Sequence, residues 1–378
     1  MILDAINLAI ELIKKPSVSP EDAGCIDLIV KYLQPYGFQC EIFHCEGVTN
    51  LWATHGTQSP CLSLIGHTDV VPPGEETLWS TPPFEPVIED NILYGRGACD
   101  MKGALAAMVI AACEYVQQYP NHAGTLAFII TSDEEGKALF GTRKVVEWLQ
   151  NSKKTIEYAL VGEPSSVNQL ADTIKIGRRG SLTGNLTIQG IQGHVAYPQL
   201  AKNPIHQAFE VLHTLTQKQW GDEHPDFPLT SLQFSNIQAG TGADNVIPDS
   251  LTTIFNFRYN PTITHTELIA SFEQELQNNA INYTVEWHHS GSPFITSRNS
   301  KLLQTLLETL KEQKYPDPTL STSGGTSDGR FLGAIGTEVV EIGPVNKTIH
   351  QINECVDIEQ LKALQKIYFQ VFRRILIQ

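Results

Sequence analysis

Along residues 1–20, MILDAINLAIELIKKPSVSP, apolar positions recur at helical spacing with Asp4 and Glu11 set among them, which predicts an amphipathic first helix. A second helical pattern runs from about Glu21 to Tyr36 and stops at Gly37. Short apolar runs follow at 39–43, 50–53 and 61–66, and the last, CLSLIG, predicts a buried central strand. The segment VVPPGEETLWSTPPFEP contains five prolines, each fixing φ and removing a backbone donor, so it predicts a structured loop. Helices are predicted at about 102–119 and 141–150, with strands at 125–131 and 157–161. Strands alternating with helices of this length indicate an α/β sheet flanked by helices.

The pattern changes near Gly177. Strand, helix, strand, strand, helix, strand follow through about residue 288, the order expected of an inserted α+β domain with a four-stranded antiparallel sheet and two helices. From Ile295 the helix and strand alternation resumes, ending in a strand at 338–342 and a helix at about 357–375. The expected organisation is a discontinuous catalytic domain, 1–178 and 293–378, interrupted by a lid or dimerisation domain at 179–292. A small sheet has exposed edges that a second copy can cover, so a homodimer is expected.

A chain of 378 residues is long enough for two unequal domains. Its 26 Lys and Arg against 41 Asp and Glu give a formal charge of −15, which excludes a basic stripe for nucleic acid. No apolar run approaches the ~20 residues needed to span a bilayer, and the N-terminus does not read as a secretory signal. The seven cysteines show no CxxC pair, so reduced thiols and a cytoplasmic protein are expected. A GxxxxGK phosphate loop is lacking, leaving nucleotide binding without support.

Four acidic or histidine-containing strings fall just after predicted strands: GHTD at 66–69, GACD at 97–100, SDEE at 132–135 and GEP at 162–164. Open α/β folds collect distant segments at the carboxyl ends of their strands, and carboxylates gathered there are costly unless paired or bound to metal. With His350 of NKTIHQINE, the candidates for a two-metal centre are His67, Asp100, Glu134, Glu135, Glu163 and His350. Asp69, two residues from His67, is expected to accept the proton on the far imidazole nitrogen. Glu134 and Glu135 are adjacent and must diverge, one toward metal and the other toward the reacting water. Oxygen and imidazole donors without thiolate suit zinc, with cobalt or manganese as substitutes.

GHTDVVPPG, YGRGACDMKG, TSDEEG and GEP, in this order, resemble the co-catalytic metallopeptidases of the M20 type, and the resemblance covers essentially the whole chain. It implies two zinc ions per subunit, with Asp100 bridging them, His67 and Glu163 completing one site, and Glu135 and His350 the other. It makes Glu134 the general base and His194 an oxyanion donor supplied by the other subunit of a homodimer. Later stretches, among them IKIGRRGSLTG, NVIP, FNFRYN and SGGTSDGRF, are most similar to the desuccinylases of that family. They imply hydrolysis of N-succinyl-LL-2,6-diaminopimelate, with an acetylornithine deacetylase-like deacylase or an aminopeptidase as the alternative.

A substrate with several carboxylates needs forked guanidinium groups, and Arg178, Arg179, Arg258 and Arg330 are the candidates. The resemblance favours Arg178 and Arg258, joined by Ser181, Tyr197, Asn245, Gly325 and Thr326.

Overall fold

The computed structural model describes residues 3–377, which divide into two compact units: 3–177 with 295–321 and 327–377, and 178–294 with 322–326. Residues 322–326 thus group with the insert, although the sequence analysis assigns them to the flanking catalytic segment. No helix among the described residues is long and apolar enough to cross a membrane.

The first unit opens with α1 (Ala5–Ile13), capped by the Asp4 side chain, which accepts from the amides of Ile6 and Asn7. Helix α2 (Cys25–Leu33) begins four residues later than its sequence pattern suggests. Residues 21–24 instead form a turn in which the Asp22 carboxylate receives the Ile26 amide. Then come β1 (Gln39–Cys45), β2 (Val48–His55), β3 (Cys61–His67), α3 (Lys102–Gln118), β4 (Thr125–Thr131), α4 (Thr142–Asn151), β5 (Tyr158–Val161) and β6 (Thr173–Lys175). After the second unit, α7 (Lys301–Glu312), β11 (Thr319–Ser321), β12 (Glu338–Glu341) and α8 (Ile358–Leu376) complete it.

These strands form one mixed eight-stranded sheet in the order β1-β2-β4-β3-β5-β12-β6-β11. The central strands β4, β3, β5 and β12 run parallel, and every residue of β3 and β4 is buried, as expected where helices cover both faces. Helix α3 is buried along most of its length and packs against α1 and α8 in the main core. Met101, just before α3, lies against the strand ends. A Cβ on Gly66 would come within 2.9 Å of the Met101 methyl carbon, and one on Gly162 within 2.7 Å, so only glycine lets this approach occur. Buried Lys102 donates to the carbonyls of Leu12 and Lys15, tying the end of α1 to the start of α3.

The second unit contains β7 (Gly180–Gln189), α5 (Pro204–Gln217), β8 (Ser231–Ala239), β9 (Ser250–Tyr259), α6 (His265–Asn278) and β10 (Tyr283–Gly291). The four strands form an antiparallel sheet ordered β8-β9-β7-β10. Alternate residues of β9, Leu251, Phe255, Phe257 and Tyr259, point into a separate core with Trp220, Phe272 and residues of α5 and α6. Phe255 stacks on Phe272 with centroids 4.4 Å apart. Thr264 and Glu267 form a reciprocal capping box that starts α6. Strand β8 is an edge, and its second half is exposed, including Ile237 at 55%.

Candidate metal centre

The ends of four neighbouring parallel strands supply this cluster. His67 is the last residue of β3; Glu134 and Glu135 follow β4; Glu163 follows β5; His350 lies in the loop after β12. Register brings the ends level, with His67 opposite Thr131 and Ile65 opposite Val161. Asp100 enters from the loop before α3. Side chains far apart in sequence therefore meet because parallel strands present their carboxyl ends at one rim.

The two oxygens of Asp100 face different imidazoles. Its Oδ1 is 3.2 Å from Nε2 of His67, and its Oδ2 is 3.4 Å from Nε2 of His350. Each imidazole then has its own second carboxylate: Glu163 Oε1 at 3.5 Å from His67, and Glu135 Oε1 at 2.9 Å from His350. The arrangement is two donor sets sharing one carboxylate, and the ligand-type atoms of His67, Asp100 and Glu135 all lie within 4.8 Å of one another.

Electrostatics show how poorly this cluster suits protons alone. Burial pushes the Glu163 carboxyl up to about 7, reinforced by Asp100 and opposed by His67. Burial likewise pushes Glu134 well above the ordinary range, with Glu163 and Asp328 adding to the shift. Hydrogen bonds that the His350 imidazole donates to Asp100 and Glu135 raise it to about 10. His67 is held protonated by Asp100, Glu163 and Asp69, although burial works against its charge. Asp100 is also buried, yet the two imidazoles depress its carboxyl. Gathered acids that need shared protons and imidazolium ions to coexist fit divalent cations, which replace those protons. The donors are all carboxylate oxygen or imidazole nitrogen, which suits zinc-type ions.

Asp69 does something other than the sequence spacing suggests. The Nδ1 atom of His67 lies 2.9 Å from the Asp69 backbone carbonyl, whereas the nearer carboxylate oxygen is 3.6 Å away. The carboxylate instead accepts from the amides of Glu134 at 3.2 Å and Glu135 at 3.0 Å, and from the Ser19 hydroxyl. The reason is geometric: β3 ends at His67, so the alternation that would place both side chains on one face no longer holds. One residue thus orients an imidazole through its carbonyl and two acidic residues through its carboxylate.

Glu134 and Glu135 diverge as adjacent residues must. Glu135 meets His350, while Glu134 Oε1 lies 3.8 Å from the buried guanidinium of Arg330. Arg330 also lies 3.7 Å from buried Asp328, so among the arginines considered for substrate it is the one drawn toward the acid cluster. Asp133 accepts three amides, from Ala138, Leu139 and Phe140, and shapes the loop after Glu135. The sequence analysis missed Ser19, Asp133, Asp328 and Glu354; of these, Glu354 had a signal in the acid four residues after His350.

In the second unit the expected substrate residues form two groups. Ser181 and Arg258 are direct partners across β7 and β9, and Arg178 Nη1 donates to the carbonyls of Ser323 and Gly325 at 3.3 and 3.2 Å, beside Thr326. Asn256 donates to the Ser181 hydroxyl at 3.1 Å. Arg179, the remaining arginine of that run, has its guanidinium made less basic by burial. His194, Tyr197 and Asn245 gather elsewhere: residues 193–194 pair with 246–247, the His194 and Tyr197 rings are 5.7 Å apart, and the Asn245 carbonyl accepts from Val195. The first group sits at the start of β7. The second follows its far end, where Gln189 pairs with Ser250. At about 3.3 Å per residue, β7 itself is roughly 30 Å long between its two ends.

Residues 63–374 match the model of peptidase family M20/M25/M40. The chain is 51% identical over 371 residues to the succinyl-diaminopimelate desuccinylase of Halorhodospira halophila, covering 98% of each. In fold it is similar to an M20 family metallo-carboxypeptidase from Sulfolobus solfataricus, with a TM-score of 0.83 at 18% identity over 98% of both chains. A dinuclear metal-binding M20 peptidase from Bacillus subtilis gives a TM-score of 0.72 at 18% identity, covering 98% of this chain and 97% of that one. With a rim of acids and imidazoles at the strand ends and a family match across most of its length, the chain belongs to peptidase family M20/M25/M40.

Proposed function

We propose that this chain is a cytoplasmic, metal-dependent amidohydrolase that cleaves N-succinyl-LL-2,6-diaminopimelate with water to succinate and LL-2,6-diaminopimelate, in lysine and diaminopimelate biosynthesis. The observation that carries the chemistry is the shared Asp100 carboxylate, one oxygen toward each imidazole, with Glu134 beside the cluster. The observation that carries the substrate is identity of 51%, end to end, with a desuccinylase.

His67, Asp100 and Glu163 would hold one cation, and Asp100, Glu135 and His350 the other, with zinc expected and cobalt or manganese as substitutes. Such ions supply Lewis-acid polarisation of the amide carbonyl and acidify water. Glu134 takes the proton of the attacking water and delivers it to the departing amine nitrogen, as the C–N bond breaks. Arg178 and Arg258 bind substrate carboxylates, with Ser181, Gly325 and Thr326 contributing hydrogen bonds at the same end of β7.

His194 supplies the oxyanion donor, with Tyr197 and Asn245 beside it. What supports a homodimer is the length of β7 between the two groups, since one substrate of this size cannot span both ends of the same sheet. The exposed half of edge strand β8 is the surface for a second copy.

The deciding assay presents zinc-reconstituted protein with the succinylated substrate, acetylornithine and a simple dipeptide, beside a Glu134→Gln control. Succinate release, abolished in the control, is expected. Faster cleavage of acetylornithine or the dipeptide would overturn the substrate assignment.

A further inference from the structure

Glu354 lies four residues after His350, is 1% exposed, and reaches none of the groups that face the cations, yet its carboxylate is the most heavily used acceptor near them. Its Oε1 receives the amides of Cys99 and Asp100, both at 2.9 Å. Its Oε2 receives the Gly97 amide at 2.9 Å and Nη1 of Arg96 at 2.7 Å. Every one of these donors belongs to the loop that presents Asp100.

The other end of the device is the loop that presents His350. Arg96 Nη1 also donates to the Gln351 carbonyl at 3.2 Å, and its guanidinium lies 5.2 Å over the Trp79 ring. The Gly95 amide donates to the Glu354 carbonyl at 2.9 Å. Within this loop His350 has φ of 61° and Asn353 of 59°, left-handed conformations uncommon for side-chain-bearing residues. The His350 side chain is itself 48% exposed, so packing does little to fix it.

We infer that Glu354 and Arg96 form a positioning clasp that locks the Asp100 loop to the His350 loop and thereby sets the affinity for the second cation, the one held by Asp100, Glu135 and His350. The first cation depends on Asp100 as well, but its other donors, His67 and Glu163, stand at strand ends that the clasp does not touch. Losing the clasp therefore weakens the two sites unequally. The inference rests on the two-cation reading above.

The test is stepwise titration of metal-free protein with zinc against a chromophoric chelator, and with cobalt followed by its visible absorption. Glu354→Gln keeps the shape but puts an amide NH2 where backbone amides need an acceptor. It is expected to weaken the second binding step about 10–100-fold while moving the first less than about 3-fold. Arg96→Lys keeps a cation for Glu354 but cannot also reach Gln351, and is expected to weaken the second step by a smaller factor of about 3–10. Equal losses at both steps, or none at either, in protein with wild-type circular dichroism would overturn the clasp. If Glu354→Gln does not fold, Arg96→Lys decides on the same criterion. A wild-type protein that takes up no second cation overturns the two-cation reading and the clasp together, whereas two wild-type steps with unchanged variants overturn the clasp alone.

Discussion

In the first unit each proposed metal ligand apart from His350 is largely buried, and several are aimed by groups that touch no cation: the Asp69 carboxylate beneath Glu134 and Glu135, its carbonyl behind His67, and Glu354 behind Asp100. In the second unit His194 and Tyr197 are exposed, and His194 is engaged mainly by its own turn, where Nδ1 receives the Ala196 amide at 3.0 Å. The roles proposed above account for the difference. Ligands for a doubly charged ion gain from being fixed in advance in a dry site, because the ion repays the cost of gathering acids. If His194 meets its site only on assembly, as proposed above, it has to stay accessible until then.

The largest effect expected from breaking the first region comes from Glu134→Gln. The amide keeps the volume and the approach to Arg330 but cannot accept the proton of water, so kcat should fall by at least about 100–10,000-fold. Metal content, measured by atomic emission, should stay at the wild-type value. A variant that retains activity would remove Glu134 as the base.

Breaking the second region should cost less and should be repairable in trans. His194→Ala removes one oxyanion donor, for which a kcat loss of about 100–1,000-fold is expected. Mixing and reassembling His194→Ala with Glu134→Gln chains places an intact Glu134 opposite an intact His194 in one site of each mixed dimer. With half of the dimers mixed and one site in two competent, about a quarter of wild-type activity should return. No recovery, with mixed dimers verified by native mass spectrometry, would mean that His194 serves its own chain or none.

Asp69→Asn returns to the first region with a smaller disturbance. One oxygen of the side chain becomes an NH2 facing the amide of Glu134 or Glu135, so the loop carrying both acids should loosen. Metal affinity is expected to fall about 10–100-fold, and added zinc should restore much of the activity, unlike in Glu134→Gln. Failure of excess zinc to restore it would place Asp69 in the chemistry itself.

Much of this contrast was legible in the sequence. The all-apolar runs at 61–66 and 125–131 marked central strands, and acids directly after them marked the rim, because both signals are local. The period-2 pattern of 250–259 announced the insert in the same way. The orienting contacts were not legible. Asp69 was placed behind His67 by strand alternation, which ends at His67, two residues before Asp69. Glu354 works through amides more than 250 residues away, and no local pattern reports a carboxylate whose partners are backbone atoms. Residues 322–326 group with the insert, where the Arg178 side chain holds the Ser323 and Gly325 carbonyls, again a contact without a sequence period.

The smallest expected effect concerns protons in the first region. Without metal, His350 titrates at about 10, above its unfolded value of about 6.5, so its contribution to stability is complete below about 6.5 and is lost as pH rises through 10. Glu163, raised to about 7 from about 4.3 unfolded, has the same sign, and its contribution is lost between those values. Asp100 is depressed and therefore acts oppositely, but only where pH falls below its unfolded value of about 3.9, outside the window of interest. From pH 6.5 to 9.5 the chelated protein should thus lose stability that the zinc-loaded protein, with its ligands already deprotonated, does not lose. The gap between their melting temperatures, measured by calorimetry at pH 6.5, 8 and 9.5, should widen by about a few degrees, because His350 is half exposed and solvent screens its pairs. Taking the difference removes the general effect of alkali on the rest of the chain. A gap that stays constant or narrows would show that the rim holds its acids and imidazoles without the shared protons inferred here.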